Sequence, residues 1–153
     1  MTLKDRLAEY VRACFTGLWI ESHEHEDALR EMAQLCAEQD WRLMTWNIDS
    51  GLAASGQSGD AEPSASDPLA ALRTLRSASS DTATLLVLSN FHRFLNSAEI
   101  VQALAEQLVA GKQTRTFIVV LSGIRPERST DSWLQGNSRW SFVIHRALQF
   151  RNC

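Results

Sequence analysis

Apolar positions along this chain keep two rhythms, one helical and one of short continuous runs, and the two alternate. Leu3, Leu7, Val11 and Cys14 recur at helical spacing behind a capping-box-like start at Thr2 and Asp5. Phe15–Glu21 (FTGLWIE) predicts a first strand, and Ser22 is placed to cap a second helix. That helix carries Ala28, Leu29, Met32, Leu35 and Cys36 in one stripe, with Glu24, Glu26 and Asp27 at the positive end of its dipole. Trp41–Trp46 predicts a second strand that leaves through Asn47-Ile48-Asp49-Ser50-Gly51. Residues 53–66 are small and polar without an apolar period, which predicts a flexible loop.

Order resumes at Asp67-Pro68, an N-cap followed by Pro at the first helical position, with Leu69, Leu72 and Leu75 on one face. The run Leu85–Leu88 then breaks abruptly into Ser89-Asn90-Phe91-His92-Arg93, as a strand buried on both faces would. Asn96 and Glu99 offer a further capping box, Ile100, Leu104 and Leu108 a buried stripe, and Gly111 a helix stop. Thr116–Ser122 (TFIVVLS) predicts a fourth strand, and residues 140–145 (WSFVIH) a fifth at an edge. Strand and helix alternate throughout. The expected fold is therefore α/β, a three-layer sandwich with a mostly parallel sheet of about five strands. Its organisation is one domain over residues 1–123 followed by a divergent basic tail over 124–153.

Composition changes this picture little. At 153 residues, 44% of them hydrophobic and 22% charged, the chain suits one soluble domain. No apolar run approaches the ~20 residues that span a bilayer. The N-terminus holds acids and no apolar core, so no signal peptide is expected and the reading is cytoplasmic. Net charge is −3, which disfavours a general nucleic-acid binder, although the tail concentrates Arg125, Arg128, Arg139, Arg146 and Arg151 against Glu127 and Asp131. RNA contact through that tail is the one nucleic-acid reading left open. Cys14 and Cys36 are expected as small buried hydrophobes.

Ligands of open α/β sheets bind beyond the carboxyl ends of the strands. Glu21, Ser22, Asp49, Ser89, Asn90, His92 and Ser122 follow the predicted strands and are the candidate pocket residues. A phosphate-binding turn would place G-x-x-x-x-G-K-S/T after the first strand, because backbone amides and the Lys cradle the phosphates. The chain instead has Glu21-Ser22-His23-Glu24-His25-Glu26-Asp27 there, which repels a triphosphate. His23 and His25 begin a helix, where an H-x-H pair diverges, so no metal site is assigned. Ser89 lacks a G-x-S-x-G elbow, and no acid is placed to orient His92, so no catalytic residue is assigned. Phe91 and Phe94 should anchor this segment to the core and leave His92 and Arg93 exposed. Of the five Trp, Trp19, Trp41 and Trp46 should pack in the core, and Trp133 and Trp140 offer a weak interface signal in the tail.

Several of these pieces together resemble the N-terminal region of AAA-type ATPases of the plastid and cyanobacterial hypothetical-reading-frame group. They are GLWIES entering an acidic helix, the Trp46–Gly51 exit, Asp67-Pro68-Leu-Ala-Ala-Leu72, LLVLSNFHRFL and TFIVVLSG. The resemblance covers roughly residues 5–123 and implies a degenerate nucleotide-binding fold with P-loop or AAA-like topology. Asn90 stands where that family tends to have Asp, and Ser122 where a sensor residue would often be Asn. Any ATPase activity the resemblance implies belongs to a catalytic module expected outside this chain. The expectation is a non-catalytic binding or regulatory module, without cofactor, whose partner is a protein or a second copy. The alternative is a small hydrolase or nucleotide-binding protein with a non-standard pocket at the strand ends.

Overall fold

The computed structural model describes residues 2–54, 66–77 and 81–123 and the strand Ser141–Ile144. In chain order its elements are α1 (Leu3–Arg12), β1 (Gly17–Glu21), α2 (His25–Gln39), β2 (Arg42–Asn47) and β3 (Gly51–Ala54). There follow α3 (Pro68–Thr74) with a 3₁₀ turn at Leu75–Ser77, β4 (Thr84–Ser89), a 3₁₀ turn at Phe91–Phe94, α4 (Ala98–Thr114), β5 (Thr116–Ser122) and β6 (Ser141–Ile144).

One six-stranded sheet runs in the order β3-β2-β4-β5-β1-β6. β2, β4, β5 and β1 are parallel, and the two edge strands are antiparallel to their neighbours. The step from β1 to β2 crosses the sheet in one direction, while those from β2 to β4 and β4 to β5 step back. Right-handed crossovers then place α2 on one face and α3 and α4 on the other. Two cores result. Leu3, Leu7, Val11, Met32 and Leu35 pack on Leu18, Ile20, Val87, Val119 and Leu121. Leu72, Leu75, Ile100 and Leu108 pack on Leu86, Leu88, Ile118 and Val120, with Trp46 and Phe91. The expected α/β three-layer fold is the fold found.

Local differences have local causes. β3 falls partly where a loop was expected, at Ala53 and Ala54. Asn47 Oδ1 accepts the backbone N–H of Asp49 (2.9 Å) and of Ser50 (2.7 Å), and Gly51 has φ 70°, so the chain turns back as a hairpin. Residues 55–65 of that expected loop lie outside the described residues. α2 begins at His25, not at a Ser22 cap; Ser22 Oγ instead accepts the Glu24 N–H at 3.0 Å, and Glu24, at the N-cap, makes no side-chain cap bond. Asn96 caps nothing either, because α4 starts after Ser97.

Gly111 does not stop α4, which continues to Thr114 and ends on Arg115 in the left-handed conformation. Its hydrogen is needed for a different reason. A Cβ there would sit 2.3 Å from the Thr116 carbonyl oxygen, so only glycine lets α4 lie this close to β5. Thr16 Oγ1 donates to the Leu108 carbonyl at 2.7 Å and ties the same helix to the start of β1. Cys14 lies beyond α1 with φ 61° and is only half-buried, whereas Cys36 is buried and free. Of the expected tail, only Ser141–Ile144 is described; Trp133, Trp140 and the five tail arginines lie outside the described residues.

Candidate functional site at the strand ends

The carboxyl ends of β1 and β5 lie side by side, with Glu21 in register with Ser122. Because strand residues alternate between faces, Trp19, Glu21, Val120 and Ser122 share the face covered by α3 and α4. The backbone N–H of Ser22 donates to the Ser122 carbonyl at 2.8 Å, which extends the β1–β5 pairing past the strand end. β4 ends on Ser89, and the next residue, Asn90, takes a left-handed conformation with φ 55°. The Asn90 N–H donates to the Leu121 carbonyl at 2.8 Å. This turn reverses the chain so that Phe91 enters the core, and His92 then reaches back over the end of β5.

His92 departs furthest from expectation. It was expected to be exposed, but it is half-buried, with Nδ1 and the Ser122 Oγ sharing a 2.9 Å hydrogen bond. Its ring lies against Trp19, centroids 6.3 Å apart. Burial lowers the His92 pKa, and the nearby charges of Arg93 and His25 lower it further, so the ring is neutral near pH 7. Arg93 is exposed as expected. Phe91 and Phe94 do anchor the segment: Trp46 meets both rings edge-on, at 5.4 and 5.7 Å.

The candidate residues therefore separate into groups. Ser122, His92, Ser22 and Glu21 are gathered at the β1–β5 end, with Asn90 bonded to the same strand. Ser89 is in register with Leu121 and so belongs to the opposite face, beneath α1 and α2. Asp49 sits exposed on the β2–β3 turn and makes no side-chain hydrogen bond among the described residues. Trp19 is a member that sequence reasoning assigned only to packing. Its indole Nε1 is buried and has no hydrogen-bond partner among the described residues. Strand parity was the available signal, since Trp19 and Glu21 are two residues apart and must share a face.

Chemically, the group offers a neutral imidazole bonded to a serine that is itself fully buried. That hydroxyl is closed to an incoming electrophile in this arrangement. His23 lies alongside Gly123, and His25 opens α2, but no group of three or more His, Cys, Asp and Glu among the described residues could hold a metal ion. No helix of the described residues is long and apolar enough to cross a membrane.

Among known families, residues 3–126 match the model of the one described as SpoVK-like AAA ATPase, N-terminal domain. No curated protein and no solved structure matches the chain.

Proposed function

The chain belongs to the family of SpoVK-like AAA ATPase N-terminal domains, and from that premise we propose that it is a non-catalytic binding or regulatory module. The observation that carries this reading is the turn between β1 and α2. In a working phosphate site, free backbone amides at such a turn point at the ligand. Here the Ser22 amide is bonded to the Ser122 carbonyl and the Glu24 amide to Ser22 Oγ. Glu21, Glu24, Glu26 and Asp27 add negative charge where a triphosphate would lie. β4 ends in Ser89-Asn90 in place of the carboxylates that hold Mg²⁺. The nucleotide-binding plan is thus degenerate at both its Walker A and Walker B positions, and the partner is protein.

The test is ATP hydrolysis by the purified chain with Mg²⁺, alongside Glu21→Gln and Asn90→Ala. The expected rate is indistinguishable from buffer for all three. A rate that either substitution abolishes would overturn the reading.

The Ser122–His92 hydrogen bond supports a second reading, a small hydrolase with a pocket at the strand ends. It requires Ser122 to become accessible. Ester hydrolysis lost in Ser122→Ala and retained in Ser89→Ala would favour it.

A further inference from the structure

We propose that Cys14 and Cys153 are joined by a reversible disulfide, a redox-sensitive strap that ties the C-terminal end of the chain to the amino end of β1. The sequence holds three cysteines. Cys14 is disulfide-bonded, and Cys36 is free. Cys36 is also closed to exchange, since it is 2% exposed and burial pushes its pKa up to about 11. That leaves Cys153, which lies outside the described residues, as the partner of Cys14 within the chain.

The place of Cys14 suits this role. It follows the Ala13 cap of α1, where the Cys14 N–H donates to the Val11 carbonyl and the Phe15 N–H to the Tyr10 carbonyl, both at 3.0 Å. These two bonds fix the cysteine, half-buried, between α1 and β1. Register brings the far end of the chain toward it. β6 is antiparallel to β1, with Ser141 opposite Glu21 and Ile144 opposite Leu18. The strand therefore runs back along β1 and ends opposite a residue four positions from Cys14, at most about 14 Å along the chain. Nine residues remain from Ile144 to Cys153, and extended they span up to about 31 Å. A disulfide needs Cα atoms about 4–7 Å apart, so the reach is ample.

The bond forms by thiol–disulfide exchange with a small-molecule disulfide such as oxidised glutathione. The Cys14 thiolate attacks one glutathione sulfur and releases the first glutathione thiol. The Cys153 thiolate then attacks the Cys14 sulfur of that mixed disulfide and releases the second. Both protein thiols are oxidised, and their two electrons and two protons leave on the two glutathiones. The closed loop takes in nearly the whole chain and so restricts the unfolded state. It also anchors β6, which is otherwise paired with β1 over only four residues. Cys14 is not enclosed, so a reductant can reach the bond and release the strap.

Peptide mapping of the full chain tests this, after native incubation with oxidised glutathione and blocking of free thiols. The expected product is a monomer in which Cys14 and Cys153 are linked and Cys36 carries a free thiol. Dithiothreitol should lower its melting temperature by at least about 5 °C. Cys36→Ser should keep both the link and that fall, while Cys14→Ser and Cys153→Ser should show neither, with unchanged circular dichroism as the control for folding. A link from Cys36 to either cysteine overturns the proposal. So do three free thiols, glutathione adducts that go no further, or a bond between two chains. A Cys14–Cys153 link whose reduction leaves the melting temperature unchanged would also overturn it, because the bond would then strap nothing.

Discussion

Ser122 Oγ lies 2.9 Å from His92 Nδ1, joining the end of β5 to the turn that follows β4. Serine at this strand end is buried completely, and the imidazole satisfies part of its hydrogen-bonding capacity. The pair lies at the carboxyl ends of the parallel strands, the side of an open α/β sheet on which ligands ordinarily bind.

The same contact predicts a pH dependence. Burial chiefly, and then Arg93 and His25, hold the folded His92 pKa below its ordinary 6.5. As pH falls from 6.5, the unfolded chain takes up a proton that the folded chain refuses. The contribution of this group is therefore full above pH 6.5 and declines until the folded ring titrates too. An NMR titration of the His92 ring should place its midpoint below 6.5. The melting temperature of His92→Gln should fall less than that of the wild type between pH 6.5 and 5.

Gly111→Ala should destabilise the protein although alanine favours helices. The propensity gain is about 1 kcal/mol. Against it stands a Cβ placed 2.3 Å from the Thr116 carbonyl, which is backbone and cannot step aside. Overpacking of this kind costs about 1–3 kcal/mol. The urea midpoint should drop; a raised midpoint would mean α4 lies farther from β5 than described.

Phe91→Ala should cost about 3–5 kcal/mol, the range for a fully buried aromatic. Phe91 is 0% exposed and holds edge-to-face contact with Trp46. Near-ultraviolet circular dichroism should lose intensity in the tryptophan region as that packing disappears. His92, the next residue, should then titrate closer to 6.5.

Cys36 should resist thiol reagents while the protein is folded. Its side chain is buried in the core beneath α1 and α2, and burial pushes its pKa up to about 11. The thiolate is the reactive form. Peptide mapping after iodoacetamide should find Cys36 unmodified under native conditions and modified in urea.

Much of the fold was legible because its signals are local. The Thr2–Asp5 capping box is formed reciprocally, the Asp67 carboxylate caps α3 ahead of Pro68, and the apolar run of β5 is buried along its whole length. The misreadings came from contacts between distant residues. Gly111 looks like a helix stop in sequence, and only the approach of β5 explains it. β3 carries little strand pattern in Gly-Leu-Ala-Ala and forms because an Asn47 turn presents it to β2. His92 looks like a surface residue until Asn90 turns the chain over Ser122. The candidate site suffered most, since which strand-end residues share a face depends on register, which spacing alone does not set.

The most direct test of the central claim is calorimetric titration of the purified chain with Mg·ATP and with ADP. A turn whose Ser22 and Glu24 amides already have partners, set among carboxylates, predicts no heat of binding at millimolar nucleotide. Stoichiometric binding that is lost on mutating Ser22, Asn90 or Ser122 would contradict it and place a working phosphate site at the ends of β1, β4 and β5.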